Sequence, residues 1–211
     1  YGGVGEATGA NIMLSASAQG SGETRKLLVD CCLLQGLKQN ESKNSLDFKY
    51  NPSEVEYLLI THAHMDHIGK IPKLVRDGFM GKIISSLETM EIARPMLADA
   101  LRVMQSKNPD ELLYEEKDIE KAFSLWKGYK YHEKIDLLSG CSVEMLDAGH
   151  ILGSAIMIVS CEDKKIAFTG DLGNSPSPLL PDTEWVKDAD YIVMESVYGD
   201  RNHEGREERR E

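Results

Sequence analysis

The stretch Thr61-His62-Ala63-His64-Met65-Asp66-His67-Ile68-Gly69 constrains this chain more than any other. His62, His64, Asp66 and His67 place three imidazoles and a carboxylate within six residues. Nitrogen and oxygen donors of this kind suit borderline divalent ions such as zinc. In a strand, His62, His64 and Asp66 would share one face while His67 pointed away. In a helix, His62 and His64 would point to nearly opposite sides. A chain that bends here can aim two ligands at one ion and two at a second. The flanks supply the bend. Residues 57–60 read as a buried strand, and Ile68, Ile71, Leu74 and Val75 have helical spacing that Gly78 would stop. The motif therefore sits at a strand-to-helix junction, where ligands commonly bind in layered α/β proteins. The plainer alternative is a polar loop that happens to be rich in histidine.

The rest of the chain reads as one large domain of 211 residues, or one and a half small ones. No run is apolar enough to span a membrane, and no signal peptide is visible. Cys31, Cys32, Cys141 and Cys161 form neither a C-x-x-C pair nor a disulfide-like framework, so four buried free thiols and a cytoplasmic location are expected. The formal net charge of −11 counts against a nucleic-acid partner, whose protein surfaces are usually basic. Two divalent cations would offset about +4 of this locally.

Taken in order, the glycine-rich Gly2–Gly9 lacks the Lys-Ser/Thr ending of a phosphate loop and reads as a turn. Residues 11–18 and 26–31 read as a hairpin around 19–23, with Asp30 either a support for a metal ligand or a turn residue. Residues 35–56 are a loop or short helices, and 82–86 another strand. Met90, Ala93, Leu97, Leu101 and Met104 mark a helix that Pro95 should kink unless it lies near the first turn. Ile119, Ala122, Phe123 and Trp126 mark a second helix. His132 reads as a surface residue. Strands return at 142–146, 155–161, 165–169 and 191–194. His150 and Asp171 are lone residues, and each has an ordinary reading as a structural histidine or a cap. Both follow apolar strands and are flanked by glycine, as the first cluster is.

H-x-H-x-D-H, then Gly149-His150-x-Leu152-Gly153-Ser154, then Thr169-Gly170-Asp171, in that order, resemble the metal-binding motifs of the metallo-β-lactamase superfamily. Glu195-Ser-Val-Tyr-Gly-Asp-Arg-x-His203 is similar to the closing segment of its β-CASP branch, whose members process nucleic acids; Val197 stands where Thr is usual. The opening Gly-Gly-x-x-Glu-x-Thr-Gly and Val29-Asp30-Cys31-x-Leu33-x-Gln35-Gly36 also match, with Cys32 in place of Gly. The two-helix insert of 88–130 looks like that of the mRNA 3′-end cleavage endonucleases and their bacterial and archaeal relatives.

The resemblance implies an α/β fold, an αββα sandwich with two zinc ions at one edge of the β layers. His62, His64 and His150 would hold one zinc, Asp66 and His67 the other, and Asp171 would bridge. It also implies hydrolysis of a phosphodiester by a hydroxide held between the two ions, with Asp66 orienting the water and Glu195, paired with a later histidine, as the acid system. Residues 1–197 would be the metallo-β-lactamase portion and 198–211 the start of a β-CASP domain. The last ligand of the second zinc would lie beyond Glu211, so a partial chain is expected. The expected partner is single-stranded RNA, with no membrane, and a homodimer is among the assemblies left open. Two other readings stand beside this one: a thioester or lactam hydrolase of the wider superfamily, and a non-catalytic scaffold subunit of an RNA-processing complex. The closing 195–203 segment argues against the former, and the full set of six ligands against the latter.

Overall fold

The computed structural model describes residues 11–17, 24–34, 42–137, 140–197 and 199–200. The glycine-rich opening, the 19–23 turn, Gln35-Gly36 and His203 lie outside the described residues. Two five-stranded sheets carry the fold. The first contains β1 (Ile12–Ser17), β2 (Thr24–Val29), β3 (Val55–Leu59), β4 (Lys82–Ser86) and β5 (Trp126–Tyr129), side by side in that order. β1 and β2 pair antiparallel and the other neighbours parallel. The second contains β6 (Ile135–Asp136), β7 (Cys141–Asp147), β8 (Ala155–Cys161), β9 (Lys164–Phe168) and β10 (Tyr191–Val193), again in sequence order. Only β9 and β10 pair parallel there.

Alternation within the strands decides the layers, because successive side chains point to opposite faces. Leu27, Val29, Leu59 and Ile84 leave one face of the first sheet. They meet Val143, Met145, Met157, Val159 and Phe168 of the second in the inter-sheet core. Leu28, Leu58 and Ile83, one residue out of step with these, face the helices. These are α1 (Met65–Ile68), α2 (Ile71–Arg76), α3 (Leu87–Lys107) and α4 (Glu116–Leu125). Burial on both faces explains why the central strands read as unbroken apolar runs. On the outer face of the second sheet, Ala148, Ile156, Ile158 and Ala167 are covered by Leu172, Val186 and Ala189 from the segment between β9 and β10.

Three local expectations change. The helix expected after the histidine cluster is two short ones. Lys70 N donates to the Cys31 carbonyl and Cys31 N to the His67 carbonyl, so the end of β2 takes backbone groups that one continuous helix would use. Pro95 lies inside α3 rather than near its first turn, on the exposed side, where water can satisfy the carbonyl it leaves unbonded. Trp126 starts β5 instead of continuing α4, with its indole Nε1 donating to Ser85 Oγ at 2.9 Å.

The expectation of four free thiols is overturned. Cys141 and Cys161 face each other across the β7–β8 register and are disulfide-bonded, while Cys31 and Cys32 are buried and lie outside that bridge. The strand register brings together two cysteines 20 residues apart, which spacing alone does not reveal. A cytoplasmic location loses the support it drew from an absence of disulfides. A loop of this length implies that Cys141→Ser costs about 2–4 kcal/mol under non-reducing conditions. Urea unfolding with and without reductant checks this, and the difference should vanish in reductant. Among the described residues no helix is long and apolar enough to cross a membrane.

Candidate metal centre

The expected residues gather at one edge of the two sheets. The first sheet delivers His62 and His64 from the bend after β3, and Asp66 and His67 from α1. The second delivers His150 from the β7–β8 loop and Asp171 from the chain leaving β9. His64 Nδ1 lies 3.0 Å from His62 Nε2 and 3.2 Å from His150 Nε2. Asp171 Oδ2 lies 3.7 Å from both His62 Nε2 and His150 Nε2. These four donor atoms all fall within 4.8 Å of one another, and the group could hold one metal ion. Tetrahedral zinc with bonds of about 2.0–2.1 Å would space its ligands roughly 3.3 Å apart, inside the observed spread. A second group sits beside the first. His67 Nε2 is 3.4 Å from Asp171 Oδ1 and 3.7 Å from Asp66 Oδ2. Asp171 therefore turns one oxygen to each group.

Behind the rings runs a buried network. Asp30 follows β2 at φ 59°, a left-handed conformation that Asp tolerates better than most residues. His67 Nδ1 donates to its Oδ2 at 2.8 Å. Thr61 N donates to Asp30 Oδ1 at 2.8 Å and Thr61 Oγ1 to Oδ2 at 2.9 Å. With its one proton so used, Thr61 Oγ1 accepts from His62 Nδ1 at 3.1 Å. His62 and His67 thus each donate from Nδ1 and turn Nε2 toward the other donors, as metal-ligating histidines do. Asp30 is a support rather than a turn filler. Thr61 was missed at the sequence level; its place between a strand of leucines and the first histidine was the available signal.

The electrostatics follow from burial and from these partners. Burial, then the neighbouring His67, pushes His62 down to about 2, so its ring is neutral. Burial would also lower His67, but the carboxylates of Asp30 and Asp171 outweigh it and raise the ring to about 10. Burial would raise Asp171, yet His67, followed by His62 and His150, holds it down to about 2. His67 Nε2 is buried and makes no hydrogen bond. An orphaned ring nitrogen beside two carboxylate oxygens fits a metal ligand, and a cation would replace its proton.

The remaining residues fix the loops. Gly170 lies at φ 55°, and a Cβ there would come within 2.7 Å of the Thr61 side chain, so glycine lets Asp171 approach the first sheet. Glu195, expected as part of an acid system, is half-buried and accepts from Leu172 N at 2.9 Å, directly after Asp171. In this geometry it braces the Asp171 loop. His132 is exposed and pairs with Glu184 at 3.2 Å, away from the cluster.

Residues 15–202 match the family model of the metallo-β-lactamase superfamily. The chain belongs to that superfamily. The curated relatives of this superfamily member include Ribonuclease TTHA0252 of Thermus thermophilus, 35% identical over 96% of this chain and 44% of the relative. RNase aCSPSF2 of Saccharolobus solfataricus is 35% identical over 74% of this chain and 31% of its own length. Cleavage and polyadenylation specificity factor 73 of Drosophila melanogaster is 30% identical over 88% and 27%. The chain thus spans less than half the length of these relatives. A crystal structure of an Enterococcus faecalis protein of unknown function superposes with a TM-score of 0.51 at 17% identity, covering 79% of this chain and 41% of the other. That likeness bears on the fold alone. The β-CASP resemblance read from the motifs agrees with relatives that are ribonucleases.

Proposed function

We propose that this chain is the metal-binding portion of a β-CASP-type ribonuclease that hydrolyses single-stranded RNA at a dinuclear zinc centre. The observation that carries the reading is Asp171, whose two oxygens face two separate donor groups. His62, His64 and His150 would hold one ion, Asp66 and His67 the second, with Asp171 shared. Zinc bound in this way supplies Lewis acidity toward a phosphoryl oxygen and a nucleophile at neutral pH. The chain's own contribution is to hold the donors rigidly. Asp30 and Thr61 fix the rings of His67 and His62. Asp66, on the first turn of α1 and 3.7 Å from His67 Nε2, would orient the attacking water. Glu195 keeps the Asp171 loop in place, and its carboxylate, near His150, is the candidate for returning a proton to the leaving oxygen. The acidic surface argues that the phosphate backbone is recognised at the cationic centre rather than across the chain as a whole.

The ribonuclease names of the relatives support RNA over small esters. The test uses the full-length protein. Metal content after dialysis should be two zincs per chain, and labelled single-stranded RNA should be cut while thioester and lactam substrates are left intact. Zinc binding without RNA cleavage, or preference for a small ester, would overturn the assignment.

A further inference from the structure

The metal cluster is divided between two sheets, so its geometry depends on whatever fixes one sheet edge against the other. His62 and His64 come from the first sheet and His150 from the second. The β7–β8 loop that carries His150 is stiff within itself. Ser154 Oγ accepts from His150 N at 3.0 Å and from Ile151 N at 3.3 Å, and Ser154 N donates to the Ile151 carbonyl at 2.9 Å. A loop braced in this way moves as a unit, and its anchor outside itself then places the His150 ring. Ala155 N donates to the Thr61 carbonyl at 2.8 Å and the Tyr131 hydroxyl to the Ser154 carbonyl at 2.9 Å, at the foot of the loop. The anchor nearer to His150 along the chain is the N-terminus of α3. Ser86 Oγ donates to the Gly153 carbonyl at 2.6 Å, and Thr89 Oγ1 donates to the same carbonyl at 2.8 Å. Ser86 is also the helix N-cap, accepting from Thr89 N at 3.1 Å. Both side chains are completely buried.

Gly153 shows how close the docking is. It sits at φ 85°, and a Cβ there would lie 2.6 Å from Thr89 N and 2.9 Å from Ser86 Oγ. Two hydroxyls converging on one buried carbonyl define its position in two directions. The carbonyl's negative end also faces the positive end of a 21-residue helix. β4 feeds α3 directly and pairs with β3, which ends just before His62. The path from His62 through the ends of β3 and β4 to Ser86, Thr89 and Gly153 is continuous and buried, and it reaches His150 through the partly exposed loop residues 151–152.

We infer that Ser86 and Thr89 are positioning residues for the metal centre: through the Gly153 carbonyl they set the distance between His150 and the His62–His64 pair. This rests on the metal-centre reading above. The loss of a supporting partner around a metal ligand lowers metal affinity by about 10–100-fold. Thr89→Val keeps the shape and removes one of the two bonds, so it should weaken zinc binding about tenfold and leave the cap at Ser86 intact. Thr89→Ser restores the hydroxyl and should recover the affinity. Ser86→Gly removes the other hydroxyl at small cost to the cap and serves if Thr89→Val does not fold.

The experiment measures zinc affinity of the full-length protein by competition with a chromophoric chelator, and the visible spectrum of the cobalt-loaded protein, whose bands report ligand geometry. Urea unfolding of the metal-free forms runs alongside. Weaker zinc binding and altered cobalt bands in Thr89→Val, both reversed in Thr89→Ser, support the inference. Wild-type zinc affinity and cobalt bands in Thr89→Val, or in Ser86→Gly where that variant is used, overturn it, whatever happens to stability. A wild-type protein that takes up no zinc, or a His150→Ala variant that binds zinc as the wild type does, would instead reject the metal-centre reading itself.

Discussion

Asp171→Ala should abolish metal-dependent RNA cleavage by the full-length protein. The loss should exceed the roughly 100-fold that removing a supporting partner costs, because on the proposed two-ion reading both ions would lose a shared ligand at once. The geometry predicts a ranking as well. His64 contributes one nitrogen to one group, so His64→Ala should retain the second ion at reduced affinity. Asp171 Oδ2 serves the His62–His150 side and Oδ1 the His67 side, so Asp171→Ala should retain neither after dialysis. The fold should survive, since the Asp171 side chain lies at the sheet edge, partly solvent-exposed, and outside both main cores. Metal content, cleavage of labelled RNA and the urea midpoint, measured on the same preparations, check the three statements. Zinc content equal to that of His64→Ala would show that Asp171 is not shared.

The site was legible in the sequence because its residues sit at places where the pattern changes sharply. Val55–Leu59, Ala155–Cys161 and Lys164–Phe168 are strands with buried apolar ends, and each lies close in sequence to a candidate histidine or aspartate and to a glycine. Such edges leave little choice about where the polar side chains project. Less legible were features fixed by contacts distant in sequence. Thr61 and Asp30 are 31 residues apart and meet because β2 and β3 are neighbours. Ser86 and Gly153 are 67 apart and meet across the two sheets. The Cys141–Cys161 bridge depends on a register of seven residue pairs between β7 and β8. β5 was missed because Trp126 continues the helical spacing of Ile119, Ala122 and Phe123, and its strand pairing is supplied by β4. Local pattern identifies the elements, whereas pairing decides which of their side chains act together.

Asp30→Asn should separate the charge of the support from its shape. Asparagine also tolerates a positive φ and can still accept a hydrogen bond, so the turn after β2 is kept. What is lost is the negative charge 2.8 Å from His67 Nδ1, together with one of the two acceptor oxygens that Thr61 and His67 use. In the metal-free protein burial pushes His67 down while Asp30 and Asp171 raise it, to about 10. With Asp30 neutral, burial opposes only Asp171, and the folded-state value should fall toward the ordinary 6.5. The sign of the stability effect follows. A histidine raised above its unfolded value stabilises the fold fully below 6.5, and that contribution is lost as pH rises through about 10. The metal-free wild type should therefore lose stability between pH 6.5 and about 10, and Asp30→Asn should show a shallower loss over the same range. For metal binding the neutral partner makes Nε2 a poorer donor, and zinc affinity should fall by about 10–100-fold. Urea midpoints in chelator across that pH range, the His67 titration followed by NMR, and zinc competition at neutral pH test the set. An unchanged His67 titration in Asp30→Asn would show that Asp171 alone sets the charge of the ring, and that Asp30 serves only to hold the turn.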